Sequence, residues 1–517
     1  MMLAPPLASR STVLASGHPT VRVESRVLEQ FSRPFAAHTH PEGFMARMAN
    51  PAHGFDPFKT ERGTEVLFLS NPAQLGPSFG ARLTPEWQNG LGLVLYRNES
   101  ANVLGAIFLH GVMKTPWSVL GADSWHGLGG IMAFSQTSFD DAIPLVVDKA
   151  VAMTPKWRFI DMSLAAKGHG AFSCQGGAKA IVVHGPSVDD KRAAISLSAE
   201  VAKILGIYIA GPDQNTGPDL ATGTNWSEEF AAEAPFNFVG VKTAGKGYEG
   251  MNNPSPFTAR GVFNGLKVVS QELLGGYRPV FLQGYGGVGK VMVASCLENG
   301  VPVSGLSSAL VSELVAARAN GFRNRLFLDS SGTEAMFGAE RRAAEEEAAK
   351  KERIEVTGNL VEALRQVPET VVLSPNASAH PITEEVADYI LSAGIRAVVG
   401  AANNMLGLVD GSPVPIAWKL QNSGVFVPND SRINRMGALA CVVKAIGLDA
   451  TGLGLQTVQI GDDVREEVVK AYRVGIPPQL YSERKAADDW NRLLAEGRAL
   501  GGRFVNLSLS PPSTTTG

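Results

Sequence analysis

The sequence predicts a two-domain α/β architecture, and three observations carry that expectation. At 517 residues the chain exceeds what one ordinary hydrophobic core covers, so it divides into domains of roughly one to two hundred residues plus additional segments. Short apolar runs bounded by turn residues alternate with stretches of helical spacing, the pattern of sheets covered by helices. In the second half a glycine-rich turn separates one such strand from one such helix, which opens a βαβ unit.

The elements follow in order. Residues 1–84 are rich in Pro, Ser and His without sustained periodicity, and they read as an N-terminal extension outside the core. Arg10, Arg22, Arg26 and Arg33 against Glu24 and Glu29 are compatible with an organelle transit segment or with a loosely docked tail. Residues 85–250 then carry strands over 91–96 and 104–110, a helix over 138–153, a strand over 180–183, a helix over 189–204 and a short strand around 208–209, predicting a mixed or parallel sheet. Residues 251–428 supply a helix over 259–274, a strand over 279–283, the glycine turn, a helix from Val288 and strands over 370–373, 396–399 and 424–427. The stretch 339–351 is charged on nearly every face and reads as a solvated helix. Residues 429–517 are predicted to return, mostly as helix, to the first domain and to end in a disordered Pro/Ser/Thr tail.

Composition excludes several function classes. A net charge of −3 with 18% charged residues provides no basic stripe for a phosphate backbone, so nucleic acid is not an expected partner. No apolar run reaches the roughly eighteen residues of a spanning helix, so no membrane association is expected. Cys174, Cys296 and Cys441 have neither metal-ligand nor disulfide-framework spacing, which predicts no metal site and a reducing compartment: soluble, intracellular, cytoplasmic, with mitochondrial import left open.

Two stretches carry chemistry. In Gly284-Tyr-Gly286-Gly287-Val288-Gly289 the first glycine suits the tight turn, the second the approach of a pyrophosphate and the third the packing of helix on strand, predicting a Rossmann-like dinucleotide-binding domain. The acid that holds the ribose hydroxyls is missing about twenty residues on, where the strand ends at Ser307-Ser308; a serine such as Ser307 could accept a phosphorylated ribose, and the choice between NAD and NADP stays open. The second stretch runs from Lys167 to Lys179, two lysines in a glycine-rich segment with no other formal charge. An ammonium near another cation loses its proton more easily, which suits one lysine for a carboxylate and the other for proton transfer; two surface lysines are the bland alternative. Asp213 follows a predicted strand, where a carboxylate could move protons or cap a turn.

The paired-lysine block ending Gly-Gly-Ala-Lys179, the Gly211-Pro-Asp213-Gln-Asn-Thr block, the 254–262 segment, the glycine loop and Gly400-Ala-Ala-Asn403-Asn404 occur in this order. As a set, over about residues 90–450, they resemble the glutamate/leucine/phenylalanine/valine dehydrogenase superfamily, nearest in pattern to its leucine and phenylalanine enzymes. The resemblance implies a two-domain enzyme, with 85–250 as substrate and oligomerisation domain, that oxidatively deaminates an L-amino acid with NAD, or NADP, as acceptor. It implies that Lys167 binds the substrate carboxylate, that Lys179 is the catalytic lysine and that Asp213 shuttles protons. Thr258 and Asn403 would meet the nicotinamide end of the cofactor and Gly284, Gly286 and Gly289 the pyrophosphate, with Gly287, Val288, Ser307 and Asn434 as further cofactor-binding positions. A homo-oligomer is expected on the same ground.

Glutamate-specific relatives place a lysine before a Gly-Gly pair, whereas this chain has Leu128-Gly129-Gly130, which would leave a buried side-chain carboxylate unpaired. With Gly211, Ala438 and Cys441 as further small pocket positions, the expectation is an uncharged branched-chain or aromatic substrate. The sequence departs from the family at Gly168-His169 and at Arg435-Met436, the latter expected beside the pocket; His126, His169 and His380 carry no assigned role. The rival readings are a glutamate dehydrogenase and a non-catalytic nucleotide-binding paralogue with a regulatory or assembly role.

Overall fold

The computed structural model describes residues 12–13, 22–23, 58–69, 92–110, 127–135, 139–165, 176–205, 211–213, 215–216, 218–219, 224–233, 254–377, 380–410, 412–442 and 450–495. Its main elements are two large sheets with helices packed on both faces of each.

The first sheet holds eight strands: β1 Phe58–Lys59, β2 Glu65–Leu69, β3 Gly92–Asn98, β4 Val103–His110, β5 Gly127–Leu128, β6 Gly130–Ser135, β7 Gly176–His184 and β8 Gly211–Pro212. Their order is β8-β6-β7-β4-β3-β2-β1, with β5 also on β7. The β6, β7 and β8 pairings are parallel, and those from β7 through β4, β3 and β2 to β1 are antiparallel, so the sheet is mixed. Strands β3 and β4 are buried along their whole length because both faces are covered. Leu95, Phe108 and Ile181 pack on Ile143 and Val147 of α1 Phe139–Ala165. Tyr96, Ile107 and Val182, on the opposite face, pack on Ile195 of α2 Val188–Leu205 and Trp226 of α3 Trp226–Glu233. At Gly105 a Cβ would lie 2.0 Å from the Tyr96 ring, so the missing side chain lets Tyr96 cross β4 and meet Ser198 Oγ at 2.6 Å.

Two features correct the sequence reading here. Strands β1 and β2 lie within the stretch assigned to the N-terminal extension; β2 is five residues long between breakers and gains its register from the edge of β3 rather than from a pattern of its own. Helix α1 passes through Pro155 and runs to Ala165 instead of stopping at Met153. A proline inside a helix costs about 3 kcal/mol, and burial of Thr154, Trp157 and Ile160 immediately around it offsets that. The strand expected at 208–209 lies outside the described residues, as do the tail after 495 and most of residues 1–57.

Helix α4 Ser255–Leu273 leads into the second sheet: β9 Val280–Gln283, β10 Val303–Ser308, β11 Arg325–Asp329, β12 Glu355–Thr357, β13 Val372–Pro375 and β14 Ala397–Val398. All pairings are parallel and the order is β12-β11-β10-β9-β13-β14. The chain therefore winds outward from β9 in one direction and from β13 in the other, which opens a crevice at the carboxyl ends of β9 and β13. The crossovers are α5 Gly287–Glu298, α6 Val311–Ala319, α7 Ser330–Phe337, α8 Ala339–Glu352, α9 Leu360–Arg365, α10 Glu384–Ser392 and α11 Val414–Asn422. Several begin at a side-chain cap: Asp329 accepts from Gly332 N, Asn359 from Glu362 N and Thr383 from Val386 N. The charged helix α8 is not wholly solvated, since Ala349 is buried and Glu345 accepts a 2.7 Å bond from Val311 N at the start of α6. The strand expected at 424–427 is reduced to a single bridge between Phe426 and Ala397, because Gly424 closes α11 at φ +74° and the next helix is capped at Asn429.

The C-terminal helices are α12 Asp430–Ile433, α13 Met436–Val442, α14 Ala450–Lys470 and α15 Pro478–Ala495. Gly261 and Gly265 on α4 let Ile433, Ile460 and Val464 approach closely, so α12 and α14 lie against that helix. The same segment reaches the first sheet's helices, where the Arg432 guanidinium sits 5.3 Å from the ring centre of Phe159 on α1. No helix among the described residues is long and apolar enough to cross a membrane.

Candidate functional site between the two sheets

Lys179 lies in β7 opposite Phe108 of β4, and its side chain is buried at 5% exposure. Its ammonium donates to Asp213 Oδ2 and forms an ion pair with it. Asp213 directly follows β8 and is held there by its own turn: its N–H donates to Thr216 Oγ1 at 2.9 Å, and the Thr216 hydroxyl donates to Ile131 O of β6 at 2.6 Å. The parallel β6–β7 and β6–β8 pairings thus bring lysine and aspartate together across three strands.

A second ammonium joins them from α1. Lys156 is 5% exposed and donates a 2.8 Å bond to Asn403 Oδ1, an atom carried by the chain beyond β14. Burial lowers its pKa from 10.5 to about 8; the positive charge of Lys179 acts in the same direction, and Asp430 and Asp213 act against it. Glycines permit this approach. A Cβ on Gly177 would lie 2.1 Å from Ala150 O of α1, so β7 and α1 could not otherwise press together there. A Cβ on Gly129 would lie still closer, 1.3 Å, to Ala178 O and 3.4 Å from Lys179 Cδ. Asp430, at the start of α12, accepts from Asn404 N and from Gln479 Nε2 and so fixes the turn that presents Asn403. Burial holds its pKa above the usual carboxylate range, although the Gln479 bond and the Lys156 charge oppose that.

On the facing side Asn434 Nδ2 donates to Ala401 O and to Asn403 Oδ1, both at 3.0 Å. Those two bonds fix the amide, and Asn434 Oδ1 is left buried without a partner among the described residues. Thr258 on α4 lies against the Gly437 backbone, where a Cβ on Gly437 would be 2.1 Å from its hydroxyl.

The glycine turn after β9 has the geometry its sequence implies. Gly284 sits at φ +91°, Gly286 is the N-cap of α5 with Glu313 Oε1 3.7 Å from where its Cβ would stand, and a Cβ on Gly289 would lie 2.0 Å from Gly284 O. Gly287 and Val288 form the first turn of α5, and a Cβ on Gly287 would meet Ser255 Oγ of α4 at 2.6 Å. Ser307 accepts from Gly284 N through its carbonyl, while its buried hydroxyl has no partner among the described residues. These residues can hold a dinucleotide, with helix α5 pointing its N-terminus at the phosphates.

Other expected site residues are placed differently. Lys167, His126 and His169 lie outside the described residues, and Lys156, eleven positions before Lys167, is the ammonium found beside Lys179. Leu128 pairs through its backbone with Gly177, and Gly211 pairs with Gly130 at the edge of the sheet. Ala438 packs on the core of the second sheet, and Cys441 occupies the last turn of α13. Arg435 and Met436, expected beside the pocket, point elsewhere. Arg435 is 1% exposed, donates to Arg432 O at 2.7 Å and pairs with Asp463 of α14 at 2.6 Å. Met436 is fully buried near Gly261 of α4. His380 Nδ1 donates to Leu406 O, 2.7 Å away, and stays in its loop.

No family model matches the sequence, and a search of curated proteins found no match. Among solved structures the chain is similar to the hetero-hexameric glutamate dehydrogenase from Thermus thermophilus, with 17% identity, 91% of this chain and 96% of that one covered, and a TM-score of 0.50. It is also similar to L-tryptophan dehydrogenase from Nostoc punctiforme, with 16% identity, 78% and 96% covered and a TM-score of 0.48. A third similarity is to glutamate dehydrogenase 2 from Plasmodium falciparum, with 12% identity, 88% of each chain covered and a TM-score of 0.47. At such identities the first similarity speaks for the fold: a two-domain α/β arrangement with a Rossmann-like sheet.

Proposed function

We propose that the chain is a nicotinamide-dependent dehydrogenase that reversibly deaminates an uncharged L-amino acid, branched-chain or aromatic, to its 2-keto acid and ammonia. The observation that carries this reading is the meeting of Lys156, Lys179 and Asp213 in one buried place, facing Asn403 and Asn434 at the mouth of the parallel sheet.

Lys156 holds the substrate α-carboxylate, the role the sequence reading gave to Lys167. It is a buried cation whose hydrogen-bond acceptor is a neutral amide, so an incoming carboxylate supplies the negative charge its surroundings lack. Lys179, once its own proton has passed to Asp213 along the bond between them, takes a proton from the water that adds to the oxidised α-carbon. When bound, the nicotinamide accepts the hydride from the α-carbon. Asn434 Oδ1, buried and unpartnered, suits the carboxamide N–H of that ring, with Thr258 on the same side. The Gly284 to Gly289 turn takes the pyrophosphate. Leu128 and Gly129 replace the cation that a glutamate side chain would need, so glutamate is a poor substrate.

We place the division between substrate and cofactor domains near residue 251, with residues from about 429 onward spanning both, and expect a homo-oligomer. The test follows reduced-cofactor absorbance with a panel of L-amino acids and both nicotinamide cofactors. Turnover of leucine-like or aromatic substrates is expected. No turnover with any amino acid refutes the reading, and turnover with glutamate alone refutes the pocket assignment.

A further inference from the structure

The Rossmann-like sheet lacks the acid that ends the second strand of many dinucleotide-binding units, since β10 closes on Ser307-Ser308. The fold supplies a carboxylate to the same place from the next element. Glu313 stands in the first turn of α6, and the Ser308 hydroxyl donates to its Oε2. Its other oxygen, Oε1, lies 3.7 Å from where a Cβ on Gly286 would stand, the nearest atom to that point among the described residues outside Gly286's own chain neighbours. Glu313 therefore faces the glycine turn from the β10 side, where the adenosine ribose of a dinucleotide lies when its pyrophosphate rests on the α5 N-terminus. No cation pairs with Glu313 among the described residues, and the nearest arginine in sequence, Arg318, is turned to the end of α8, where it meets Glu352.

We propose that Glu313 accepts the 2′- and 3′-hydroxyls of the adenosine ribose and makes the protein selective for NAD over NADP. The inference rests on the dehydrogenase reading above and extends it to the cofactor. A free carboxylate oxygen accepts from a diol but repels a 2′-phosphate, and among the described residues no ammonium or guanidinium pairs with Glu313 to offset that repulsion. The Ser308 bond holds the carboxylate in place, so Ser308 is a positioning residue for Glu313.

The test is equilibrium binding without amino acid, by fluorescence titration of the intact protein with NADH and with NADPH, alongside thermal melting to show that each variant is folded. NADH is expected to bind at least about a hundredfold more tightly than NADPH, a ratio set by one charge-assisted diol contact and one like-charge contact. Glu313→Gln keeps the size and can keep the Ser308 contact; it is expected to weaken NADH by about tenfold and to strengthen NADPH. Ser308→Ala, which only frees the carboxylate, is expected to give a smaller change in the same direction. Equal binding of the two cofactors by the unaltered protein, or an unchanged ratio in folded Glu313→Gln, overturns the assignment of Glu313. Binding of neither cofactor overturns the nucleotide site itself, and with it this inference.

Discussion

Replacing Lys156 with methionine keeps the length and shape of the side chain and removes its charge, and the structure sets opposite expectations for stability and activity. Burial, reinforced by Lys179, brings the Lys156 pKa from 10.5 to about 8. Each tenfold change in proton affinity is worth about 1.4 kcal/mol, so keeping this ammonium charged in the folded protein costs about 3 kcal/mol. The sign follows from which state binds the proton more weakly. Below about pH 8 both states are protonated and the folded state carries the full penalty; between about 8 and 10.5 the folded state releases the proton first and stability rises. Lys156→Met is therefore expected to be more stable than the parent at pH 7, by up to about 3 kcal/mol less the lost bond to Asn403 of about 1 kcal/mol. Asn403 Oδ1 keeps its bond from Asn434, so no buried acceptor is orphaned. The same change removes the charged partner of the substrate carboxylate, and kcat/KM is expected to fall by about a hundredfold with most of the loss in KM. Thermal melting at pH 7 together with steady-state kinetics on the preferred amino acid tests both halves. A variant that melts lower than the parent, or that retains its kcat/KM, refutes the assignment of Lys156 as a charge held for the substrate.

Other outcomes follow from the same geometry. Lys179→Ala is expected to abolish turnover by a factor of about a thousand or more while NADH titration stays unchanged, because the lysine touches the reacting carbon's surroundings and not the glycine turn. The kcat/KM profile for the amino acid is expected to decline as pH rises through about 8, where free enzyme loses the Lys156 charge, and that decline should be absent in Lys156→Arg; a flat profile across that range in the parent contradicts it. Gly289→Ala places a Cβ 2.0 Å from Gly284 O, so it is expected to weaken dinucleotide binding by at least about tenfold and to lower the melting temperature, as read by titration and melting.

How far the sequence disclosed this arrangement depended on whether a residue's meaning was local. The glycine turn was legible because each glycine answers to a constraint within a few residues: a positive φ at Gly284, the helix N-cap at Gly286, a backbone contact at Gly289. Lys179 and Asp213 stood out as charges beside glycines at strand ends, and the sheet pairs them. Lys156 was missed for an identifiable reason. The helix expected over 138–153 ended short of Lys156, whereas it continues through Pro155 and puts the lysine on the face shared by Met153, Trp157 and Ile160. A lysine at helical spacing within an apolar face was the available signal. Glu313 was not singled out because an acid was sought on the strand itself, whereas the carboxylate that faces the glycine turn stands in the first turn of the following helix. The partners of Arg435 lie on α14, almost thirty residues away in sequence, beyond the reach of any local pattern.

The two buried groups of cations differ in how their charge is compensated. Arg432 and Lys156 are almost equally hidden, at 3% and 5% exposure. Burial works to lower the pKa of Arg432, yet Glu467, Asp463 and Glu466 reverse it, so that arginine ends above its ordinary value with its charge compensated in place. Arg435 pairs with Asp463 in the same cluster, which ties α12 and the start of α13 to α14. Asp213 and Asp430 also act on Lys156, but they do not reverse its burial: Asp213 is engaged by Lys179, and Asp430 is held above the usual carboxylate range while it accepts from Asn404 and Gln479. A cation left short of negative charge in a dry place binds an anion more strongly than one already satisfied. The Arg435-Met436 departure thus strengthens the C-terminal fastening, and under the proposed function an amino-acid carboxylate is the anion that Lys156 would take.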